Sequence, residues 1–177
     1  MPLVIQATPV GAECQAMNRP DSLVLRPARL QDARAMAQMS RDLIEAGLTW
    51  RYTPARVAAL IRDAETMALL ACDGEHAVGF AVMQFFDEHA HLNLLCVQPA
   101  RRRRGVGGRL MAWLEASARV AGIGSIALEL RADNLAAFEF YRRLGFAPGP
   151  LLPEYYEDRV AAQRMLRSLR HDAAAQR

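Results

Sequence analysis

Four arginines stand in a row at Arg101, Arg102, Arg103 and Arg104, and Gly105, Val106, Gly107 and Gly108 follow at once. Guanidinium groups make charge-assisted hydrogen bonds that suit phosphate oxygens. Glycines let a backbone come close to its ligand. The free N–H groups of a helix's first turn, at the positive end of its dipole, complete an anion site. The combination reads as a cradle for a pyrophosphate. A solvated basic turn is the bland alternative, and the glycines and the helical pattern behind the arginines count against it. His89 and His91 have a spacing that metals use, but no third ligand accompanies them and no metal is expected. Cys96 reads as a small buried filler rather than a nucleophile.

Such a cradle needs a strand ahead of it and a helix behind it. The apolar pattern predicts a strand over residues 89–97, closed by Pro99. After Gly105 a helix places Val106, Leu110, Trp113, Leu114 and Ser117 on one face, and Gly122 and Gly124 end it. Upstream, a strand over 22–26 is closed by Pro27, and a helix over 30–46 is ended by Gly47. Thr53 reads as an N-cap with Pro54 at the first helical position. Strands over 67–72 and 77–86 meet at the hairpin signal Asp73–Gly74. Downstream, a strand over 125–131 turns Ile126, Leu128 and Leu130 one way and Ala127, Glu129 and Arg131 the other. Asn134 opens a helix through Leu144, with Gly145 as its C-terminal glycine. Pro148, Gly149, Pro150 and Pro153 read as a loop before a return strand over 160–169. The helical crossover makes strands 89–97 and 125–131 parallel. The expected fold class is α/β (mixed α+β): a mixed sheet of six to seven strands with helices on both faces. Residues 1–20 are expected as a loosely ordered extension, 21–170 as one domain and 171–177 as a polar tail.

Composition narrows the function classes. Hydrophobic residues make up 52% and charged residues 23% of the 177, as in ordinary globular proteins. All 22 basic residues are arginine and the net charge is only +3. The basic excess is one compact run, which suits a polyanionic small ligand. A nucleic-acid module would spread its basic residues among exposed aromatics. Three cysteines, widely spaced, suit a reducing compartment. No signal peptide and no membrane span are read, so a cytoplasmic location is expected.

Two blocks then carry a family resemblance. V-Q-P-A-R-R-R-R-G-V-G contains the pattern [R/Q]-x-x-G-x-[G/A] at Arg102, Gly105 and Gly107. The later N-x-x-A-x-x-F/L-Y-x-x-x-G-F falls on Asn134, Ala137, Phe140, Tyr141, Gly145 and Phe146. Together they resemble the GNAT superfamily of acetyl-CoA-dependent N-acetyltransferases. The resemblance implies a fold in which the fourth and fifth strands are parallel and splay apart. It implies that Arg102, Arg103, Arg104, Gly105, Val106, Gly107 and Gly108 hold the coenzyme A pyrophosphate. The backbone at Leu95, Cys96 and Val97 would take the pantetheine arm, and Asn134 and Tyr141 would also touch the cofactor.

L-E-L-R-A-D-N and Y-Y-E-D-R-V-A-A-Q-R-M are similar to the ribosomal-protein-alanine N-acetyltransferases. In that branch a glutamate placed like Glu129 serves as base and a tyrosine placed like Tyr141 as acid. Glu129 as a surface residue or a partner of Arg131, and Tyr141 as core packing, are the alternatives. Tyr155 and Tyr156 match a tyrosine pair of that branch, and with Trp50 and Tyr52 they are candidates for the acceptor wall or for ordinary packing. The expected reaction moves acetyl from acetyl-CoA to a primary amine by direct attack. A peptide N-terminus is chemically easy, because an α-amine titrates near ~7.7–8.0 and a lysine near ~10.4. A small-molecule amine (polyamine, amino acid or antibiotic) is the alternative acceptor. A non-catalytic coenzyme A binder or a nucleic-acid module is the alternative from other classes. The expected partners are acetyl-CoA and the amine, with no nucleic acid and no membrane, in a monomer or homodimer.

Overall fold

The computed structural model describes residues 23–156 and 160–170. The expected N-terminal extension, residues 157–159 and the polar tail lie outside the described residues. The chain runs β1 (Leu23–Pro27), a 3-10 turn (Leu30–Asp32), α1 (Ala33–Leu43), α2 (Pro54–Arg62), β2 (Thr66–Asp73), β3 (His76–Phe85) and β4 (His89–Val97). A 3-10 turn (Pro99–Arg101) leads to α3 (Val106–Val120), β5 (Ser125–Arg131), α4 (Leu135–Arg143), β6 (Ala147–Tyr156) and β7 (Val160–Ser168). The strands form one seven-stranded sheet in the order β1-β2-β3-β4-β5-β7-β6. β4 and β5 pair in parallel and every other neighbouring pair is antiparallel. Among the described residues no helix is long and apolar enough to cross a membrane.

The central strands are buried on both faces, so the sheet separates two apolar clusters. Leu69, Ala71, Val78, Ala81 and Met83 face the cluster built with Leu110, Met111 and Leu114 of α3 and Tyr141 of α4. Leu70, Cys72, Phe80 and Val82 face the cluster built with Met36 and Ala37 of α1 and Val57 of α2. Alternate residues of one strand therefore serve two cores, as the pleat requires.

Three expectations change. The helix expected over 30–46 is α-helical only from Ala33 to Leu43. Its end is set by Glu45, whose buried carboxylate accepts from Ser40 Oγ at 2.9 Å and from the N–H groups of Arg51 at 2.6 Å and Tyr52 at 3.2 Å. On α3 the buried face is Val106, Leu110, Met111, Leu114 and Ala118, while Trp113 is 38% exposed and Ser117 is not buried. The i, i+4 row from Val106 decides the face, and Trp113 falls just outside it. The proline-rich stretch expected as a loop is itself strand β6, interrupted between Pro148 and Leu151 and between Leu152 and Tyr156. β6 lies at the sheet edge, the place where a strand can lack N–H donors.

The β3–β4 register shapes the middle of the sheet. Val82 faces Leu94 and Met83 faces Leu92, which leaves Asn93 as an extra residue in β4. This bulge reverses the alternation. Ala90 and Leu92 belong to the α3 cluster, whereas Leu94 and Cys96 belong to the α1–α2 cluster. Beyond the bulge β3 stays close to β4 at Gly79. A Cβ there would meet Cys96 O at 2.9 Å and Val106 Cγ1 at 3.3 Å. Gly79→Ala must displace β4 backbone or the start of α3, so it should lower the unfolding free energy by about 1–3 kcal/mol in urea denaturation.

Candidate active site

The arginine–glycine loop joins β4 to α3, as the sequence pattern requires. Its four arginines do different things. Arg101 forms an ion pair with Asp73 at the end of β2, and so fastens the loop to the β2–β3 hairpin. Arg102 donates from Nε to Val97 O at 3.1 Å. Arg102, Arg103 and Arg104 are exposed and available to an anion. The backbone is left-handed at Arg103 (φ 59°) and again at Gly105 (φ 80°), which caps α3. Left-handed geometry suits glycine and costs an arginine free energy, so Arg103 is a strained residue in the arginine–glycine loop. The first bond of α3 is Arg109 N–H to Gly105 O at 3.0 Å. The N–H groups ahead of it are the orphan donors of a helix start. A Cβ at Gly105 or Gly108 would meet nothing within 4 Å, so the loop opens onto free space. A Cβ at Gly107 would come within 3.2 Å of the Phe140 ring of α4.

The parallel ladder between β4 and β5 lasts only from His89–Ser125 to His91–Ala127. Past it the strands part, so the β4 edge at Leu95, Cys96 and Val97 is not laddered to β5. The end of β4, the α3 start and α4 meet at Gly107, where a Cβ would lie 3.2 Å from Phe140 and 3.8 Å from Leu95. Cys96 is buried and its thiol donates to Met39 O at 3.9 Å. Burial raises its pKa to about 12, so it stays a protonated filler. Asn134 caps α4, with Oδ1 accepting from Ala137 N–H at 3.1 Å. Tyr141 is 7% exposed and packs edge-on against Phe140 and Phe146 at 5.0 and 5.5 Å. Burial raises its pKa well above the ordinary phenol value, so its proton stays on through the neutral range.

Glu129 is not a partner of Arg131, which binds Asp133 at 3.1 Å instead. Its Oε2 lies 2.6 Å from His91 Nε2 and its Oε1 lies 3.5 Å from Arg164 Nε of β7. His91 Nδ1 in turn lies 2.7 Å from Asn93 Oδ1. The hydrogen bond from His91, with the charges of His91 and Arg164, holds the Glu129 carboxyl below its ordinary range against a smaller burial effect. The same hydrogen bond raises His91, with burial opposing it. His91 is thus engaged by a carboxylate on the neighbouring strand, while His89 stacks on Phe86 at 4.7 Å. Asn93 and Arg164 contact this pair without being singled out by sequence, and His91 is visible there only through its metal-like spacing from His89. The available signal is register: once β4 and β5 are parallel neighbours, His91 and Glu129 come within reach of each other.

Tyr155 and Tyr156 end β6 in edge-on contact, at 4.9 Å between rings. Burial first, then the Tyr155, Glu129 and Tyr52 charges, push Tyr156 up to about 12. Tyr155 is also raised by burial and then by Glu129. Tyr52 is raised by burial, and Arg56 lies over its ring at 4.8 Å. Tyr155 and Tyr156 therefore lie within electrostatic reach of Glu129, and Tyr52 lies within reach of that tyrosine pair. Trp50 packs against the α1–α2 cluster, with Arg41 over its ring at 5.2 Å and its Nε1 buried without a partner among the described residues.

The acetyltransferase (GNAT) family model matches residues 34–146 of this chain. The chain belongs to the GNAT acetyltransferase family. It is 33% identical over 82 residues to the [ribosomal protein bS18]-alanine N-acetyltransferase of Salmonella typhimurium, covering 46% of this chain and 55% of that one. It is 34% identical over 87 residues to the streptothricin acetyltransferase of Streptomyces lavendulae, covering 48% and 46%. The chain thus spans about half the length of the curated relatives it matches. The crystal structure of Ard1 from Thermoplasma volcanium superposes with a TM-score of 0.74 at 28% identity, over 84% of this chain and 98% of that one.

The Glu129–His91 pair should leave a mark on stability. Glu129 is lowered from 4.5, so its contribution is present above that pH and is lost as pH falls through the lowered value. His91 is raised from 6.5, so its contribution is full below that pH and is lost as pH rises through the raised value. The difference in Tm between the wild type and His91→Gln should therefore be largest between about pH 4.5 and 6.5 and shrink on either side. Circular-dichroism melts across pH 4–9 check this, and a difference that is flat with pH would exclude the ion pair.

Proposed function

We propose that this protein transfers an acetyl group from acetyl-CoA to a primary amine, and that the preferred amine is the N-terminus of a protein or peptide. The observation that supports it most is the short β4–β5 ladder, which leaves the end of β4 unpaired with β5 beside the glycine-rich start of α3, itself packed against α4, the helix of Tyr141. Arg102, Arg103, Arg104 and the N–H groups of Val106, Gly107 and Gly108 would hold the pyrophosphate. Backbone groups of Leu95, Cys96 and Val97 would hold the pantetheine arm, and Asn134 Nδ2 would reach the cofactor from α4. Acetyl-CoA supplies the activated thioester. Tyr141 would give its proton to the departing sulfur, which its raised pKa permits because the proton is still present at neutral pH. Glu129 would receive the proton that the amine loses.

The acceptor reading rests on the tyrosines near Glu129 and on the ease of deprotonating an α-amine. The bS18-alanine relative favours a protein N-terminus. The streptothricin relative is the reason to keep a small-molecule amine as the second reading.

A thiol-release assay with acetyl-CoA, run over peptides with varied N-termini and a panel of polyamines, amino acids and aminoglycosides, separates the two acceptor classes. Peptides should turn over fastest. Turnover of small amines alone would replace the first reading by the second. In the same assay Tyr141→Phe and Glu129→Gln should each lower kcat by about 10²-fold or more, with little change in acetyl-CoA affinity by calorimetry. Unchanged turnover in both variants would remove the acid and base assignments.

A further inference from the structure

Two further arginines, Arg101 and Arg109, bracket the stretch from Arg102 to Gly108. Both are tied to one corner of the sheet, where β1 begins beside the end of β2. Arg101 forms its ion pair with Asp73 of β2, and Arg109 donates from Nη2 to Leu23 O of β1 at 3.1 Å. Leu23 and Asp73 are register partners in the β1–β2 ladder. The loop is thus fastened on both sides to one pair of residues. Gln98 adds a tie to β3: its N–H donates to Val78 O and its Nε2 to Ala77 O, each at 2.9 Å.

The backbone between these ties is left-handed at Arg103 (φ 59°), a conformation that costs a non-glycine residue free energy. The turn that carries Arg101 leads straight into it. The N–H of Arg101 donates to Gln98 O at 2.9 Å, and that of Arg102 to Pro99 O at 3.3 Å. A loop released from its ties can relax away from that shape, and a ligand that needs the shape must then restore it at the expense of affinity. Asp73 is the unexpected member of the set. It is a carboxylate beside a loop suited to phosphates, and by charge alone it opposes such a ligand.

We propose that Asp73 is a positioning residue for acetyl-CoA: by holding Arg101 it keeps the loop from Arg102 to Gly108 in the shape that takes the pyrophosphate, and this outweighs the repulsion its own charge exerts on the donor. The inference rests on the reading of that loop as the donor's pyrophosphate site. Asp73 acts through Arg101 and not on the reacting atoms. Its contribution therefore falls on donor affinity, while the proposed acid and base, Tyr141 on α4 and Glu129 on β5, are left as they are.

The sign of the effect separates this role from two others. A carboxylate acting only through its charge weakens acetyl-CoA binding, so Asp73→Asn would tighten it. A carboxylate acting only on the fold would lower Tm on removal and leave affinity unchanged. The positioning role requires affinity to fall.

The test is calorimetry of acetyl-CoA binding to the full chain, with KM for acetyl-CoA and kcat from thiol release. Asp73→Asn should raise Kd and KM for acetyl-CoA by about fivefold, the scale of one partly exposed ion pair, and leave kcat at saturating donor unchanged. Asp73→Glu keeps the carboxylate and should recover most of the loss. Arg101→Gln should also weaken binding, and the double variant Asp73→Asn with Arg101→Gln should lose no more than the larger single loss, because the two side chains act as one unit. Asp73→Ser removes the same carboxylate and gives the same sign test should Asp73→Asn fail to fold. Equal or tighter binding after loss of the carboxylate, a fall in kcat in place of affinity, or losses that add in the double variant overturn the proposal and leave the loop reading standing. Unchanged acetyl-CoA affinity in Arg102→Gln and in Arg104→Gln overturns the loop reading, and the proposal with it.

Discussion

The short parallel ladder between β4 and β5 is the constraint on which the rest of the site depends. Three residue pairs, His89–Ser125 to His91–Ala127, hold the two strands together at one end. If the ladder ran on to Val97, the backbone edge that faces the cleft would be consumed in hydrogen bonds to β5. If it did not form at all, the two halves of the sheet would be joined only through helices. Parallel pairing needs a helical crossover, and α3 supplies it. The crossover helix starts where β4 ends, so its positive terminus is placed beside the open edge by connectivity alone. The cleft is therefore a consequence of topology, and the glycines and arginines decorate it.

The bulge at Asn93 turns this backbone arrangement into chemistry. Without the extra residue, strict alternation would keep Leu92 and Leu94 on one face. With it, they serve opposite clusters, and Asn93 comes to bond the His91 ring two residues earlier. The ladder's last pair then sets His91 beside the β5 backbone at Ala127, within reach of Glu129. Covering only three residue pairs, the ladder both leaves the end of β4 unpaired with β5 and brings His91 within hydrogen-bond distance of Glu129. Glu45 orders the loop between α1 and α2. A buried carboxylate at the C-terminal end of α1 is electrostatically misplaced there, and it is retained with a hydroxyl and two backbone N–H groups that shape the approach to Tyr52.

Much of this is legible in the residues. Element order, the α3 loop, the caps at Thr53 and Asn134 and the glycine at Gly145 are local signals, and each appears where periodicity and turn chemistry place it. The failures are non-local. Prolines at 148, 150 and 153 read as loop because the sequence does not say which strand will lie at the edge, where missing donors are tolerated. Trp113 reads as core because an aromatic near the helical period outweighs the i, i+4 row that the sheet selects. Glu129 and His91 are each visible, but their pairing depends on register between strands separated by a whole helix. Arg164 is more distant still, since it enters through β7, the strand inserted between β5 and β6.

The same division explains why the donor is easier to identify than the acceptor. On the proposed reading, donor recognition uses the backbone of β4, the start of α3 and a run of arginines, all within the family match over residues 34–146. Tyr155, Tyr156 and Arg164 lie beyond that match, on the last two strands. These side chains sit next to Glu129 electrostatically, so they shape the space in which an amine must lose its proton. On the proposed reading, a change on β6 or β7 redirects the acceptor without disturbing the ladder, the splay or the start of α3. Two relatives of similar identity to this chain, named for a ribosomal-protein alanine and for streptothricin, are consistent with that freedom. The donor half is tied to connectivity, and the acceptor half hangs on the sheet edge, where substitutions cost the fold least.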